Sequence, residues 1–298
     1  MLDDRGIRLD PFDEQDFLAL CGAIGEQAAR LQKMGAAGAV CPALPGLAAA
    51  RAILLGTRTV GLPLTVFLAL EENGRSPCGS DPLAALCTLQ GLGAAAFGLA
   101  GETEAVAGQL ARLRPYASIP LAAALPAPQA GQSPKDYAEL GRSLLEAGAD
   151  ELAIAGEAGE EYRSALQALP PRPAGQPASA GPESLLIAAC ESGCFLLDEN
   201  VEFSEPLVCS EDMADALFEA EHEGCEALLV RIDSSLDARL FIANAHLCGL
   251  PVAFQADEEA CLELALAYYS GRAILSSMCD LPRETLVRLA EGYGALVL

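Results

Sequence analysis

Three carboxylates fall just behind short apolar runs. Glu71 follows Leu64–Leu70, Asp233 follows Ala227–Ile232, and Asp257 comes close behind Val252–Phe254. A carboxylate at the C-terminal end of a buried parallel strand is well placed for acid–base chemistry in a cleft at that face. Glu71, Asp233 and Asp257 are therefore the candidate site residues, on the condition that they converge. Two of them also have a structural reading: Asp257 as a helix N-cap before Glu258-Glu259, and Asp233 as a turn or cap residue before Ser234-Ser235.

The thiols offer a second chemistry. Cys41 lies near the end of an apolar run and Cys78 in a loop. A catalytic zinc needs about three converging protein ligands, and two scattered cysteines without a nearby histidine do not supply them. Cys190 and Cys194 are the most closely spaced pair and suggest a thiol pair across a strand and turn. His222, in Glu221-His222-Glu223-Gly224, suits a helix end, where a cation meets the dipole favourably. His246 is read in a helix that also carries Cys248. Tyr268-Tyr269 reads as an anchor between helix and core. No CxxC, GxGxxG, P-loop or GxSxG motif occurs, so dithiol-oxidoreductase, nucleotide-binding and α/β-hydrolase readings have no motif behind them.

These residues need elements to position them, and one pattern recurs: an amphipathic helix, a glycine, then a short apolar run. The glycines are Gly35, Gly93, Gly148, Gly224 and Gly294, each suited to a left-handed helix cap. The runs behind them are Ala39–Leu44, Ala94–Leu99, Leu152–Ala155, Ala227–Ile232 and Ala295–Leu298. Further runs fall between, at Leu64–Leu70, Pro120–Leu125, Leu185–Cys190, Val252–Phe254 and Ala273–Leu275. Most are continuously apolar, as parallel strands buried on both faces are. Asp10-Pro11 and Ser133-Pro134 read as helix starts. The pattern predicts an α/β fold of parallel strand–helix repeats with right-handed crossovers.

The 298 residues are 52% hydrophobic and carry a formal net charge of −24. Such a surface repels phosphate backbones, so nucleic acid is not an expected partner. No run approaches the ~20 apolar residues of a membrane span. The acidic N-terminus is unlike a leader, and eleven cysteines without one suggest free thiols in a reducing cytoplasm. A Pro-, Gly-, Ala- and Ser-rich stretch reads as a linker at 168–183. It separates a first part, 1–167, from a second, 184–298, with about five strands expected on either side.

The first part resembles the second half of the homocysteine S-methyltransferase barrel. The resemblance rests on Leu47-Ala48-Ala49-Ala50-Arg51, on Leu62-Pro63-Leu64-Thr65-Val66-Phe67-Leu68-Ala69-Leu70-Glu71-Glu72-Asn73-Gly74-Arg75, on Gly79-Ser80-Asp81-Pro82, and on Phe97-Gly98-Leu99. Leu113-Arg114-Pro115 and Ser133-Pro134 continue it. It implies a TIM-barrel-derived fold, incomplete or rearranged because the first strands of the family's barrel have no counterpart here, together with methyl transfer to the homocysteine thiol, a place in methionine biosynthesis, and a zinc held by three cysteines. Gly98-Leu99-Ala100-Gly101 and Ala153-Ile154-Ala155-Gly156 stand where those cysteines would be. The resemblance therefore implies a degenerate relative, inactive alone, that keeps Arg51 either as a pairing partner or as a site residue. The 184–298 part is similar, more faintly, to a pterin-binding barrel. Ser277 is its one matching substrate-binding residue, while Gln255 and Ser276 depart from the pattern. Zinc and folate follow from the resemblance only, and no cofactor is expected. The alternative function is a non-catalytic binding or regulatory subunit that pairs with a chain supplying the missing strands. On either reading a protein partner or a homo-oligomer would meet the exposed sheet edges.

Overall fold

The computed structural model describes residues 14–171, 186–198 and 200–298. The expected helix start at Asp10-Pro11 and most of the 168–183 linker lie outside the described residues. The first part runs α1 (Glu14–Lys33), β1 (Ala39–Leu44), α2 (Leu47–Arg58), β2 (Leu64–Ala69), α3 (Pro82–Gly91), β3 (Ala96–Ala100), α4 (Thr103–Leu113), β4 (Leu121–Pro126), α5 (Pro134–Ala147), β5 (Glu151–Ala155) and α6 (Glu160–Gln167). Its strands form one parallel sheet in the order β1-β2-β3-β4-β5, so α2, α3, α4 and α5 are the crossovers between neighbouring strands. This is an α/β fold of alternating helices and parallel strands, with the first sheet curled like half of a TIM barrel.

The apolar runs hide an alternation of size. On β2, β3 and β4, the residues Leu64, Val66, Leu68, Phe97, Leu99, Leu121, Ala123 and Leu125 join the core under the helices. The residues between them, Phe67, Ala122 and Ala124, form a separate cluster with Ala100 and Ala153 on the other face. Side chains alternate between the faces of a strand, so large groups pack outward against helices and the concave face is paved with small ones. Phe67 is the one large ring on that face, and Gly98 makes room for it. A Cβ at Gly98 would stand 2.4 Å from two Phe67 ring carbons, so a larger residue there would force the ring to move.

The rest runs β6 (Leu186–Ala189), β7 (Cys194–Leu197), β8 (Leu207–Val208), α7 (Met213–His222), β9 (Leu228–Arg231), α8 (Ser235–Asn244), β10 (Val252–Gln255), α9 (Glu259–Tyr268), β11 (Ile274–Leu275), α10 (Arg283–Tyr293) and β12 (Leu296–Val297). A second parallel sheet has the order β12-β11-β10-β9-β8. The run at Leu185–Cys190 departs from the parallel expectation: β6 pairs antiparallel with β7, matching Leu186 to Leu197 and Ala189 to Cys194. The Cys190–Gly193 stretch between the strands is a turn too short for a helical crossover, and only an antiparallel return fits it.

That hairpin fills the inner face of the second sheet. Ala188 and Leu197 cluster with Ala227, Leu229, Ala253 and Ile274. Its other face, Ile187 and Cys194, packs against the core of the first part. α3 lies beside it, apolar and buried nearly all round, as a helix between two layers must be. Among the described residues no strand of one five-stranded sheet pairs with a strand of the other, so the two do not close into one barrel.

Arginines tie the parts together. The guanidinium of Arg51, 2% exposed, donates to Leu266 O at 3.0 Å, Ala267 O at 3.3 Å and Tyr269 O, all at the C-terminal end of α9. Arg58 donates to Gly292 O and Glu291 O at the end of α10. Arg272 donates to Gly294 O and, across to the hairpin, to Ile187 O. Each guanidinium supplies several donors to the carbonyls that a helix end or a loop leaves unpaired.

Candidate functional site

The ends of β2, β3, β4 and β5 open into a cleft of about 840 Å³. Its floor is Ala100, Ala124, Pro126 and Ala155, with Leu70 and Gly101. Its rim carries Glu71, Glu72, Asn73 and Glu102. The cleft exists because the concave face carries alanines where a complete barrel would carry filling side chains. Main-chain bonds hold the rim in place. Leu70 N donates to Ala100 O at 2.7 Å, tying the end of β2 to that of β3. A tight turn follows, in which Glu71 N donates to Arg75 O at 2.8 Å and Gly74 N to Glu71 O at 2.9 Å. Arg75 N donates to Asn73 Oδ1 at 2.8 Å. None of the lining residues is Lys, Arg or His, so every charge on the rim is negative.

The three predicted carboxylates do not converge. Glu71 lines the cleft, whereas Asp233 and Asp257 are not among its lining residues and stand behind β9 and β10 of the second sheet. Asp233 Oδ1 accepts from Arg231 Nε at 2.8 Å, and Asp233 N donates to Asp237 Oδ2 at 3.1 Å. The N-cap of α8 is the neighbouring Ser234, whose Oγ accepts from Asp237 N at 3.2 Å. Asp257 is not an N-cap either: Oδ1 accepts from Asp280 N at 3.4 Å, and Glu258 occupies the cap position of α9. The hydrogen bond to Asp233, and then the charges of Asp233 and Asp257, raise the pKa of Arg231. These two aspartates thus anchor loops and a cation instead of meeting Glu71.

Ser277 lies exposed in the turn after β11. Its neighbour Ser276 is buried, and Ser276 Oγ accepts from Met278 N at 3.1 Å. Cys41 is buried and Cys78 exposed. Among the described residues no group of three His, Cys, Asp or Glu side chains gathers in a way that could hold a metal ion. His222 ends α7, with Nδ1 2.7 Å from Phe218 O, in line with its helix-end reading. His246 lies in a 3₁₀ turn, Ala245–Leu247, beyond the helix expected to carry it.

Cys190 and Cys194 do not pair with each other. Cys190 Sγ is 3.3 Å from Ser192 Oγ and 3.5 Å from Gly249 O, while Cys194 Sγ lies 3.5 Å from Cys87 Sγ on α3. Arg51 is the structural partner, not a site residue, because its fork faces the α9 carbonyls. Sequence reasoning missed Glu72, Asn73 and Glu102. Glu102 stands three residues past the Ala94–Leu99 run, whereas Glu71 directly follows its own, so position behind a run marks Glu102 less sharply.

No family model matches the chain, and no curated protein matches it. Among solved structures, one match is the crystal structure of an enolase from Streptomyces coelicolor whose description proposes a sugar isomerase. Identity is 14% and the TM-score 0.33. The match covers 84% of this chain and 50% of that one, so the chain spans about half the length of this match. At that level of similarity neither fold nor activity transfers. The expected membership of the homocysteine S-methyltransferase family is corrected by these findings. So are the homocysteine-methylating function, the degenerate-relative and subunit readings built on it, and the place in methionine biosynthesis. No family model and no curated protein supports them.

Proposed function

We propose that the chain binds a small cationic organic ligand, an amine or a guanidinium, in the cleft at the ends of β2–β5. One observation carries the reading: three carboxylates and an amide ring an alanine-floored cleft whose lining holds no cationic side chain. The volume suits a small molecule, and the strand-end position is where parallel α/β sheets bind ligands. Glu71 and Glu102 would meet the cation from adjacent strand ends, Asn73 would accept or donate at its edge, and the alanines would take its apolar stem. The test is calorimetric titration of the full chain with putrescine, agmatine and arginine, with succinate as the anionic control. Saturable binding of at least one cation is expected. Glu71→Gln and Glu102→Gln should each weaken it about 10-fold or more, since a charge-assisted hydrogen bond contributes ~1.5–3 kcal/mol. Binding should also weaken with salt. No saturable binding, or binding indifferent to both substitutions, would sink the proposal.

The division into 1–167, a linker at 168–183 and 184–298 belongs to the same proposal, and the two separate sheets support it. So does a cytoplasmic setting. All eleven cysteines are free, and among the described residues no helix is long and apolar enough to cross a membrane. The partner at an open edge is proposed to be a second copy of the chain meeting β5. Among the described residues β1 and β5 each have a single strand neighbour. Pro42 blunts β1 by removing a donor, and the edge strands of the second sheet, β8 and β12, are only two residues each, which leaves β5 as the edge with the longest continuous row of main-chain groups. Light scattering across a concentration series should show a dimer that dissociates on dilution. The monomer mass at every concentration would remove this part.

A further inference from the structure

We infer that Cys87 and Cys194 form a reversible disulfide that fastens the β6–β7 hairpin to α3, making the pair a redox modification site. The thiols are 107 positions apart in sequence, yet their sulfurs lie 3.5 Å apart. Cys87 is fully buried in α3, and Cys194 is half-buried at the start of β7. A disulfide needs the sulfurs to close by about 1.5 Å, to ~2.05 Å, and the hairpin supplies that movement more readily than a helix packed on all sides.

The surroundings favour a thiolate over a metal. The hydrogen bond shared with Cys87, with the charges of Arg272 and Arg112, draws the Cys194 thiol below its ordinary pKa against burial and the nearby Asp81 carboxylate. Cys87 is pushed up, first by the same hydrogen bond and then by burial. Two guanidiniums beside the pair repel a metal cation. Arg112 is itself engaged by Asp81 through two hydrogen bonds of 2.6 and 3.0 Å. Asp81 caps α3 and its main-chain N donates to Glu191 O of the hairpin turn, so the charges around the sulfurs are held in place.

The step balances as an exchange with a small disulfide such as oxidised glutathione. Cys194 thiolate attacks one sulfur of the small disulfide and expels the other half as a thiolate. With the Cys194 charge gone, Cys87 loses its proton to solvent more easily. Its sulfur then attacks Cys194 Sγ, and the second small thiolate leaves. Two protein thiols are oxidised and one small disulfide is reduced to two thiols.

The hairpin gives the bond a consequence. It covers the inner face of the second sheet and touches the first core with its other face, and Glu191 in its turn accepts from Ser80 Oγ at 2.9 Å and Ser270 Oγ at 3.3 Å. Oxidation would turn this noncovalent strap into a covalent one between the parts.

The test equilibrates the full chain in glutathione buffers from fully reduced to fully oxidised, followed by alkylation, mass spectrometry and peptide mapping. A peptide joining Cys87 to Cys194, with a loss of about 2 Da, is expected. The oxidised chain should melt higher by on the order of 5–10 °C, and dithiothreitol should reverse both effects. Cys194→Ser, at the half-buried position, should abolish the cross-link and the melting shift while folding normally. Cys78→Ser, at an exposed cysteine, should leave both unchanged. Glutathione on Cys78 alone, or a Cys190–Cys194 link in place of Cys87–Cys194, would overturn the inference.

Discussion

Arg51→Ala is expected to lower the unfolding free energy by about 3–5 kcal/mol, as breaking a buried charge network does. The side chain is not stabilising because its charge is at ease. Burial pulls its pKa from 12.5 down to about 10, with partial relief from Tyr269, Tyr293 and Cys21. What it supplies is a planar fork that reaches Leu266 O, Ala267 O and Tyr269 O together. Alanine leaves those carbonyls inside the protein without donors, each a cost of ~1–3 kcal/mol before relaxation, and leaves a void besides. Relief of the desolvation cost offsets part of this. Arg51→Lys should recover less than half of the loss, because an ammonium on a flexible stem cannot span three acceptors. Arg51→Met should recover little, since it fills volume without donating. Urea unfolding followed by circular dichroism checks the series. A lysine variant as stable as the parent would show that the charge matters and the fork does not.

The second large effect is a steep loss of stability above pH 9. Burial raises the Cys21 thiol from 9.0 to about 11 and the Cys209 thiol to about 12. It also raises Cys190, Cys248 and Cys279. Burial lifts Tyr293 from 10.0 to about 12 and moves Tyr137 and Tyr269 upward as well. The sign follows from proton counts. Near pH 10 the unfolded chain has released thiol protons that the folded chain keeps, so alkali favours unfolding. The stabilisation is complete below pH 9 and is lost as pH climbs through the folded-state values. Arg51 and Arg272, both shifted down by burial, and Cys194, drawn down first by its hydrogen bond with Cys87, act the other way. They are outnumbered, and repulsion within a chain already at −24 grows in the same direction as the thiol term. Each pKa unit corresponds to ~1.4 kcal/mol per group. After discounting for partial exposure, the loss between pH 8 and 10.5 is expected to be on the order of several kcal/mol. Urea midpoints measured under a reductant across that range check it, and a flat profile would mean that the thiols are not buried.

Much of the architecture could be read from residue order alone. Gly35, Gly93, Gly148, Gly224 and Gly294 all adopt positive φ, from 71° to 127°, because only the repeat of helix, cap and apolar run accounts for their spacing. Ser133 caps α5 and accepts from Asp136 N at 3.1 Å, a local bond that local sequence encodes. Long-range facts were hidden. Leu121-Ala122-Ala123-Ala124-Leu125 looks apolar throughout, and nothing in it says that one set of alanines faces a cleft. Nothing local marks Cys194-Phe195-Leu196-Leu197 as a strand, because its partner reverses direction and its covering role depends on a second sheet. The Cys87–Cys194 contact joins residues whose nearness depends on both parts being folded. Glu71 was found because it directly follows its strand, whereas its companions needed the curvature of the sheet to bring them together.

The alanines that pave the concave wall make its shape cheap to rewrite. Ala100, Ala124 and Ala155 meet the cleft on one side, while the leucines and Phe97 that knit the sheet to its helices lie on the other. A larger residue at any of the three would recontour the hollow without touching the packing that keeps the strands together. Durability and selectivity thus reside in opposite surfaces of the same five strands, and a lineage could retune one while leaving the other alone.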